Sequence, residues 1–183
     1  MVIDLKAAPV TQDIDGQRRV EIMKFLSACG GITLVIGEHN EFDNYICRFN
    51  CDEYVNTRGD LNWLKWEPWY QGGIFNSVFC FDVIEHLINP GLFLKRLARF
   101  ITNETNVYIT FPYRHNVKYW SSTHFQEYDL DRFKTLVELC GYQIIREQHV
   151  ILHRPWRFYL GFRPLMRLLF NKYHYNLYLL RLK

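Results

Sequence analysis

Apolar and polar positions along this chain follow two periods, and each change of period marks a change of element. Between Gln17 and Gly31, Val20, Met23 and Leu26 recur at helical spacing with Ile22, Phe25 and Cys29 beside them, and Gly30-Gly31 supplies a stop. The run Ile32 to Gly37 is short, continuous and β-branched, which suits a strand covered on both faces in a parallel sheet. A short helix over Glu41–Phe49 and a strand over Glu53–Asn56 complete a compressed strand–helix–strand unit. After a loop carrying Trp63, Trp66 and Trp69, Ser77–Phe81 reads as another buried strand. Asn89 and Pro90 combine an N-cap with a proline at the first helical position, and the helix they open puts Phe93, Leu94, Leu97, Ala98 and Ile101 on one face. Asn106–Phe111 is the next strand. Asp129 can cap a helix whose stripe is Leu130, Phe133, Leu136, Val137 and Cys140, ended by Gly141. The pattern closes with a strand over Tyr142–Leu152, a helical segment over Trp156–Phe170 interrupted by Pro164, and a last strand over Tyr175–Leu182.

Strands alternating with helices predict an α/β sandwich with a mostly parallel sheet, and 183 residues predict a single domain over 1–183, with 1–16 as a flexible N-terminal segment. In such sheets ligands sit outside the carboxyl ends of the strands, where the strand order reverses. Asp82, Glu85 and His86 fall at one of these ends, directly after Ser77–Phe81.

Composition narrows the class. Hydrophobic residues make up 49%, aromatics 17% and charged residues 22%, which excludes a disordered chain. No apolar run is long enough to span a membrane and the N-terminus lacks a signal-peptide pattern, so no transmembrane segment is expected. The five cysteines are an odd, scattered set that reads as reduced thiols, which predicts a cytoplasmic protein. A net charge of +3 does not by itself imply nucleic acid, but residues 154–183 hold seven Lys/Arg and no acid among several aromatic rings. That segment predicts either peripheral contact with anionic membrane or nucleic acid, or a helix burying its rings beneath its arginine stems.

The stretches "NSVFCFDVIEHLINPGLFLKRLARFI", "NVYITFPYRHN", "HFQEYDLDRFKTLVELCGY" and "YNLYLLRLK" resemble, in order and spacing, the second half of class I S-adenosylmethionine-dependent methyltransferases. The resemblance covers about Ile74 to Lys183. It implies a Rossmann-like three-layer sandwich with a seven-stranded sheet, or a reduced six-stranded one, whose last strand inserts antiparallel. It also implies transfer of a methyl group from S-adenosylmethionine to O or N of an acceptor that the sequence does not identify. Ile36, Gly37, Glu38, Asp60, Leu61, Phe81 and Asp82 would hold the cofactor. The first half departs from the family pattern: the turn after the first strand, "GEHNEF", has one glycine, and the ribose-binding acid expected after the second strand is represented by Thr57, Arg58 and the later Asp60. A methyltransferase-like domain without activity, serving as a binding or partner module, fits the same departures.

Asp82-x-x-Glu85-His86, with His124 some distance on, further resembles the metal-binding arrangement of small-RNA 2′-O-methyltransferases and of some O-methyltransferases of quinone biosynthesis. Asp82, Glu85, His86 and His124 are therefore the candidate catalytic residues and the candidate ligands of a divalent Mg or Mn ion. Structural roles are open to the same residues: Asp82 as a cap, His86 bonded to a neighbouring loop, His124 capping the following helix. Arg114, His115, Tyr119 and Trp120, in the loop after Phe111, are placed to clamp a planar or anionic acceptor or to pack as a lid.

Overall fold

A computed structural model of the chain describes residues 13–27, 29–37, 40–63, 65–69, 74–113, 124–126, 128–153 and 173–183. The helix called for by the first apolar stripe is α1, Ile14–Phe25, capped by Asp13, whose carboxylate accepts from Gly16 N at 2.9 Å. It begins inside the segment read as flexible and stops at Leu26, short of the glycines. Tertiary bonds take over there: Ser27 N donates to the Tyr108 hydroxyl at 3.4 Å and Cys29 N to Asn50 O at 3.1 Å.

Strand β1, Ile32–Val35, leads to α2, Glu41–Asn50, and β2, Glu53–Arg58. The tryptophan loop contains a two-residue strand absent from the pattern, β3 at Glu67–Pro68, paired antiparallel with the end of β2. Then come β4, Ser77–Phe81; α3, Pro90–Leu97; β5, Asn106–Tyr113; α4, Leu130–Leu139; β6, Tyr142–Leu152; and β7, Tyr173–Leu182. Both cap expectations hold: Asn89 Oδ1 accepts from Leu92 N at 3.0 Å, and Asp129 Oδ1 from Arg132 N at 2.8 Å. The helical segment expected over Trp156–Phe170 lies outside the described residues.

The sheet order is β3-β2-β1-β4-β5-β7-β6. β2, β1, β4 and β5 run parallel, and β7 inserts antiparallel between β5 and β6. Alternation sorts the strand side chains onto two dry faces. Val78, Cys80, Val107, Ile109 and Phe111 meet Phe93, Leu94, Leu97, Phe133 and Val137 of α3 and α4 on one side. Phe79, Tyr108, Leu177 and Leu179 meet Ile22, Met23 and Phe25 of α1 and Phe42 and Ile46 of α2 on the other. Tyr142 ties β6 to α3 through a 2.8 Å bond from its hydroxyl to Leu94 O. Among the described residues no helix is long and apolar enough to cross a membrane.

The start of β1 depends on a close approach. Gly31 has φ 81°, and a Cβ there would stand 2.1 Å from Asn76 Oδ1, the acceptor for Ile32 N at 3.0 Å. Gly31→Ala is expected to lower stability by about 2–4 kcal/mol, combining left-handed strain with loss of that bond. Asn76→Ala, which loses the bond without the clash, should cost about 1 kcal/mol. Urea denaturation checks both; equal effects would mean that the steric term is absent.

Candidate active site

The strand order reverses between β1 and β4, so their crossovers leave in opposite directions and a crevice opens beyond their carboxyl ends. Ile36 N continues the pairing by donating to Phe79 O at 2.8 Å. Gly37 follows at φ 103°, where a Cβ would come within 3.2 Å of Val83 Cγ2. Its amide donates to Thr57 Oγ1 at 3.4 Å, so the ends of β1 and β2 and the turn after β4 meet at one point. Thr57 thus stands where the expected acid is missing. Asp60 is exposed just after β2 and turns inward on its own loop, accepting from Asn62 N at 2.9 Å, while Leu61 packs against the α3 and α4 core. Phe81 stacks on Phe79 with ring centroids 5.1 Å apart. Glu38 lies outside the described residues.

Asp82 leaves β4 in the left-handed region, φ 54°, uncommon for a residue with a side chain. Its amide reaches Thr110 O at 3.0 Å, and its Oδ2 faces Arg18 of α1 at 3.1 Å. The Tyr175 hydroxyl donates to Thr110 Oγ1 at 2.6 Å and also interacts with Asp82, where it favours the carboxylate. The other Asp82 oxygen, Oδ1, is buried with no hydrogen-bond partner among the described residues. Burial pushes the Asp82 pKa up, against the pull of the Arg18 charge. Burial works against the Arg18 charge too, but the facing Asp82 carboxylate, with Tyr175 and Asp15, more than offsets it and holds the guanidinium protonated. Asp43, at the start of α2, is pushed up to about 7 by burial and then by the Asp82 charge, although Arg19 and Asn40 oppose the rise.

On the other side of the turn, Ile84–His86 forms a single 3-10 turn. Glu85, His86 and His124 bring one carboxylate oxygen and two imidazole nitrogens within 4.8 Å of one another. Glu85 is buried, both histidines are half-buried, and the two rings meet edge-to-face at 4.8 Å. The Glu85 carbonyl accepts from Phe125 N at 3.0 Å and Gln126 N at 3.2 Å, which holds His124 beside the turn. Three of the four residues read as one cluster from their spacing therefore converge. The fourth, Asp82, turns its carboxylate to Arg18.

Arg18, Tyr175 and Asp43 were not among the residues singled out from sequence, because nothing local distinguishes an arginine on a helix or a tyrosine on a strand. Arg114, His115, Tyr119 and Trp120 lie outside the described residues. Of the basic segment, 154–172 is likewise outside them, while Tyr173–Leu182 is the inner strand β7. Trp66 is buried against Phe93 and Phe100, whereas Trp63 and Trp69 are exposed.

Two measurements probe these charges. The unfolded Asp43 carboxyl titrates near 3.9 and the folded one near 7, so the folded chain binds the extra proton and stability falls as pH rises across that window. Asp43→Asn should raise the melting temperature, by more at pH 8 than at pH 5; a pH-independent difference would contradict the assignment. Arg18→Ala should destabilise by about 3 kcal/mol by leaving the Asp82 charge unpaired, and Asp82→Asn in that background should recover part of the loss. Chemical denaturation of the four chains of the double-mutant cycle reads the coupling.

No protein-family model matches the sequence, and no curated protein matches it. Solved structures do. A methyltransferase-like protein of Bacillus halodurans C-125 is 10% identical with a TM-score of 0.59, over 92% of this chain and 99% of that one. Phosphoethanolamine N-methyltransferase 2 of Haemonchus contortus, solved with phosphomonomethylethanolamine and S-adenosylhomocysteine, is 13% identical with a TM-score of 0.60, over 92% of this chain and 53% of that one. The chain thus spans about half the length of the nematode enzyme. The 4+2 cyclase SpnF is 9% identical with a TM-score of 0.62, over 90% of this chain and 79% of that one. At such identities the shared property is the fold, and a cyclase among the matches shows that this fold does not fix the reaction. The strand order, the antiparallel insertion of β7 and these superpositions together establish that this chain has the fold of the class I S-adenosylmethionine-dependent methyltransferases.

Proposed function

We propose that the chain is an S-adenosylmethionine-dependent methyltransferase acting on oxygen or nitrogen of an acceptor held beside Glu85, His86 and His124. The observation that carries this reading is the crevice where β1 and β4 reverse: a turn at Gly37 closed tightly on Val83, beside Asp82, whose buried Oδ1 has no hydrogen-bond partner among the described residues. A buried acceptor left without a donor costs about 1–3 kcal/mol, and a cationic ligand group would satisfy it. Ile36, Gly37, Glu38, Asp60, Leu61, Phe81 and Asp82 form the set that would hold the cofactor. When bound, the cofactor supplies an electrophilic methyl group on a sulfonium centre.

The chain's own contribution is alignment and proton management. In-line displacement requires the acceptor atom held on the axis of the breaking bond, and the short turn after β4 is a rigid place from which to hold it. Either His86 or His124 is suited to take the acceptor's proton. Glu85 is buried; its backbone carbonyl holds the 124–126 segment, and its carboxylate, within 4.8 Å of the two imidazole nitrogens, is placed to orient the rings. One carboxylate and two imidazoles also suit a divalent Mg or Mn ion, which would lower the pKa of an acceptor hydroxyl. Asp82, engaged by Arg18, is then a positioning group for the cofactor side.

Calorimetric titration with S-adenosylhomocysteine should give saturable heat, and the ligand should raise the melting temperature. Absence of both effects would favour the second reading, a binding module without activity, for which the single-glycine turn after β1 is the motivating feature. Methyl transfer from radiolabelled S-adenosylmethionine to a panel of hydroxyl- and amine-bearing small molecules should fall about 100-fold or more in Glu85→Ala and His124→Ala, with homocysteine-ligand binding unchanged. Electron paramagnetic resonance of added manganese separates the two roles of the cluster. Loss of bound manganese in Glu85→Ala supports the ion; equal binding in both chains removes it.

A further inference from the structure

Two thiols that the crevice does not use meet at the C-terminal end of α2. Cys47 lies in the last turn and is fully buried in the core shared with α1. Cys51 is the C-cap and is half-buried, and its amide still donates to Cys47 O at 3.0 Å. The two side chains interact, with the Cys47 thiol donating to Cys51 Sγ.

That contact makes the pair unequal. The Cys47 proton favours the Cys51 thiolate and holds Cys51 below the ordinary thiol range, against burial; the same contact, with burial, pushes Cys47 up. The other cysteines differ. Cys29 is buried and its thiol faces Ser27 O at 3.1 Å and the Tyr108 hydroxyl at 3.9 Å, Cys80 is buried in the sheet, and Cys140, half-buried like Cys51, is pushed up by burial. Cys51 alone joins partial exposure to thiolate character, and a second thiol stands behind it.

Backbone geometry lets the two sulfurs bond. Residues four apart on a regular helix hold their Cβ atoms about 5–6 Å apart, while a disulfide needs about 3.5–4.5 Å, so one partner has to leave the helical path. Cys51 does so, at φ −124° and ψ 146°. Asp52 pins the chain just beyond, accepting from Gly31 N at 2.6 Å, so the adjustment falls on the last turn of α2 and not on β2.

We infer that Cys51 and Cys47 form a reversible thiol–disulfide site, in which Cys51 takes up a small disulfide such as oxidised glutathione and Cys47 resolves it. The Cys51 thiolate attacks one glutathione sulfur and expels the other glutathione as its thiolate. Cys47 then gives up its proton to that thiolate and attacks Cys51 Sγ, expelling the second glutathione. Two protein thiols are oxidised and one glutathione disulfide is reduced to two thiols. No step uses the crevice, so the site stands apart from methyl transfer.

The test treats the reduced, folded full chain with oxidised glutathione, quenches by alkylation and reads intact mass and peptides. Cleavage after Glu41 and after Arg48 places Cys29, Cys47 and Cys51 on three different peptides. The chain should lose two hydrogens, retain no glutathione and yield the Cys47 and Cys51 peptides joined. Cys51 should react about tenfold or more faster than Cys140, whose exposure is similar. Cys47→Ser should stop the reaction at one glutathione held on Cys51, and Cys51→Ser should leave the remaining thiols reduced, while Cys29→Ser should change nothing. Should the Cys47 variant not fold, the peptide map and the Cys51 to Cys140 rate ratio of the unaltered chain decide the matter. Glutathione retained on the unaltered chain, Cys140 reacting as fast as Cys51, or a bond joining Cys29 to Cys51 would each overturn the inference.

Discussion

The parallel pairing of β1 with β4 at the reversal of strand order is the constraint on which the rest depends. Everywhere else the central strands are covered on both faces by helices, and their side chains are almost wholly apolar. Only beyond the carboxyl ends, where the crossovers part, is there room and water for charge. Asp82, Glu85, His86, Asp43 and Thr57 all gather there, from segments distant in sequence.

Charge at that place is costly, and the chain offsets part of the cost with α1. Arg18 reaches from the first helix to the turn after the fourth strand and faces Asp82, with Tyr175 of the last strand close by. Both ends of the described chain thus meet at the middle of the sheet. The compensation is incomplete: among the described residues one Asp82 oxygen has no donor, and burial raises the Asp43 pKa to about 7. Uncompensated charge and left-handed strain at Asp82 concentrate in the part of the molecule where a ligand would bind, as expected of a site that gives up stability for binding.

The turn from Asp82 to Ile88 divides the crevice. Its first residue looks toward Arg18 of α1. Its next residues look toward the 124–126 segment. The two sides of the turn differ in chemistry: an ion pair lies on one, a carboxylate with two imidazoles on the other.

Much of this was legible in the amino-acid order alone. The buried strand Ser77–Phe81, the strand Tyr142–Leu152 and the caps at Asn89 and Asp129 are local in origin, set by periodicity, β-branching and side-chain hydrogen bonds within three residues, while the antiparallel setting of the closing strand came from the family resemblance. The convergence of Glu85, His86 and His124 was foreshadowed by their spacing and by family resemblance. The end of α1 was not, because bonds to Tyr108 and Asn50 displaced the glycine stop, and β3 was too short to leave a pattern. Nor did spacing reveal that Asp82 would turn from Glu85 to Arg18. That choice depends on a left-handed backbone at residue 82 and on a guanidinium arriving from a helix 64 positions earlier. Sequence by itself determined the elements, since those arise from neighbours along the chain. Tertiary structure alone decided which charges share the crevice, since that depends on which strands lie side by side.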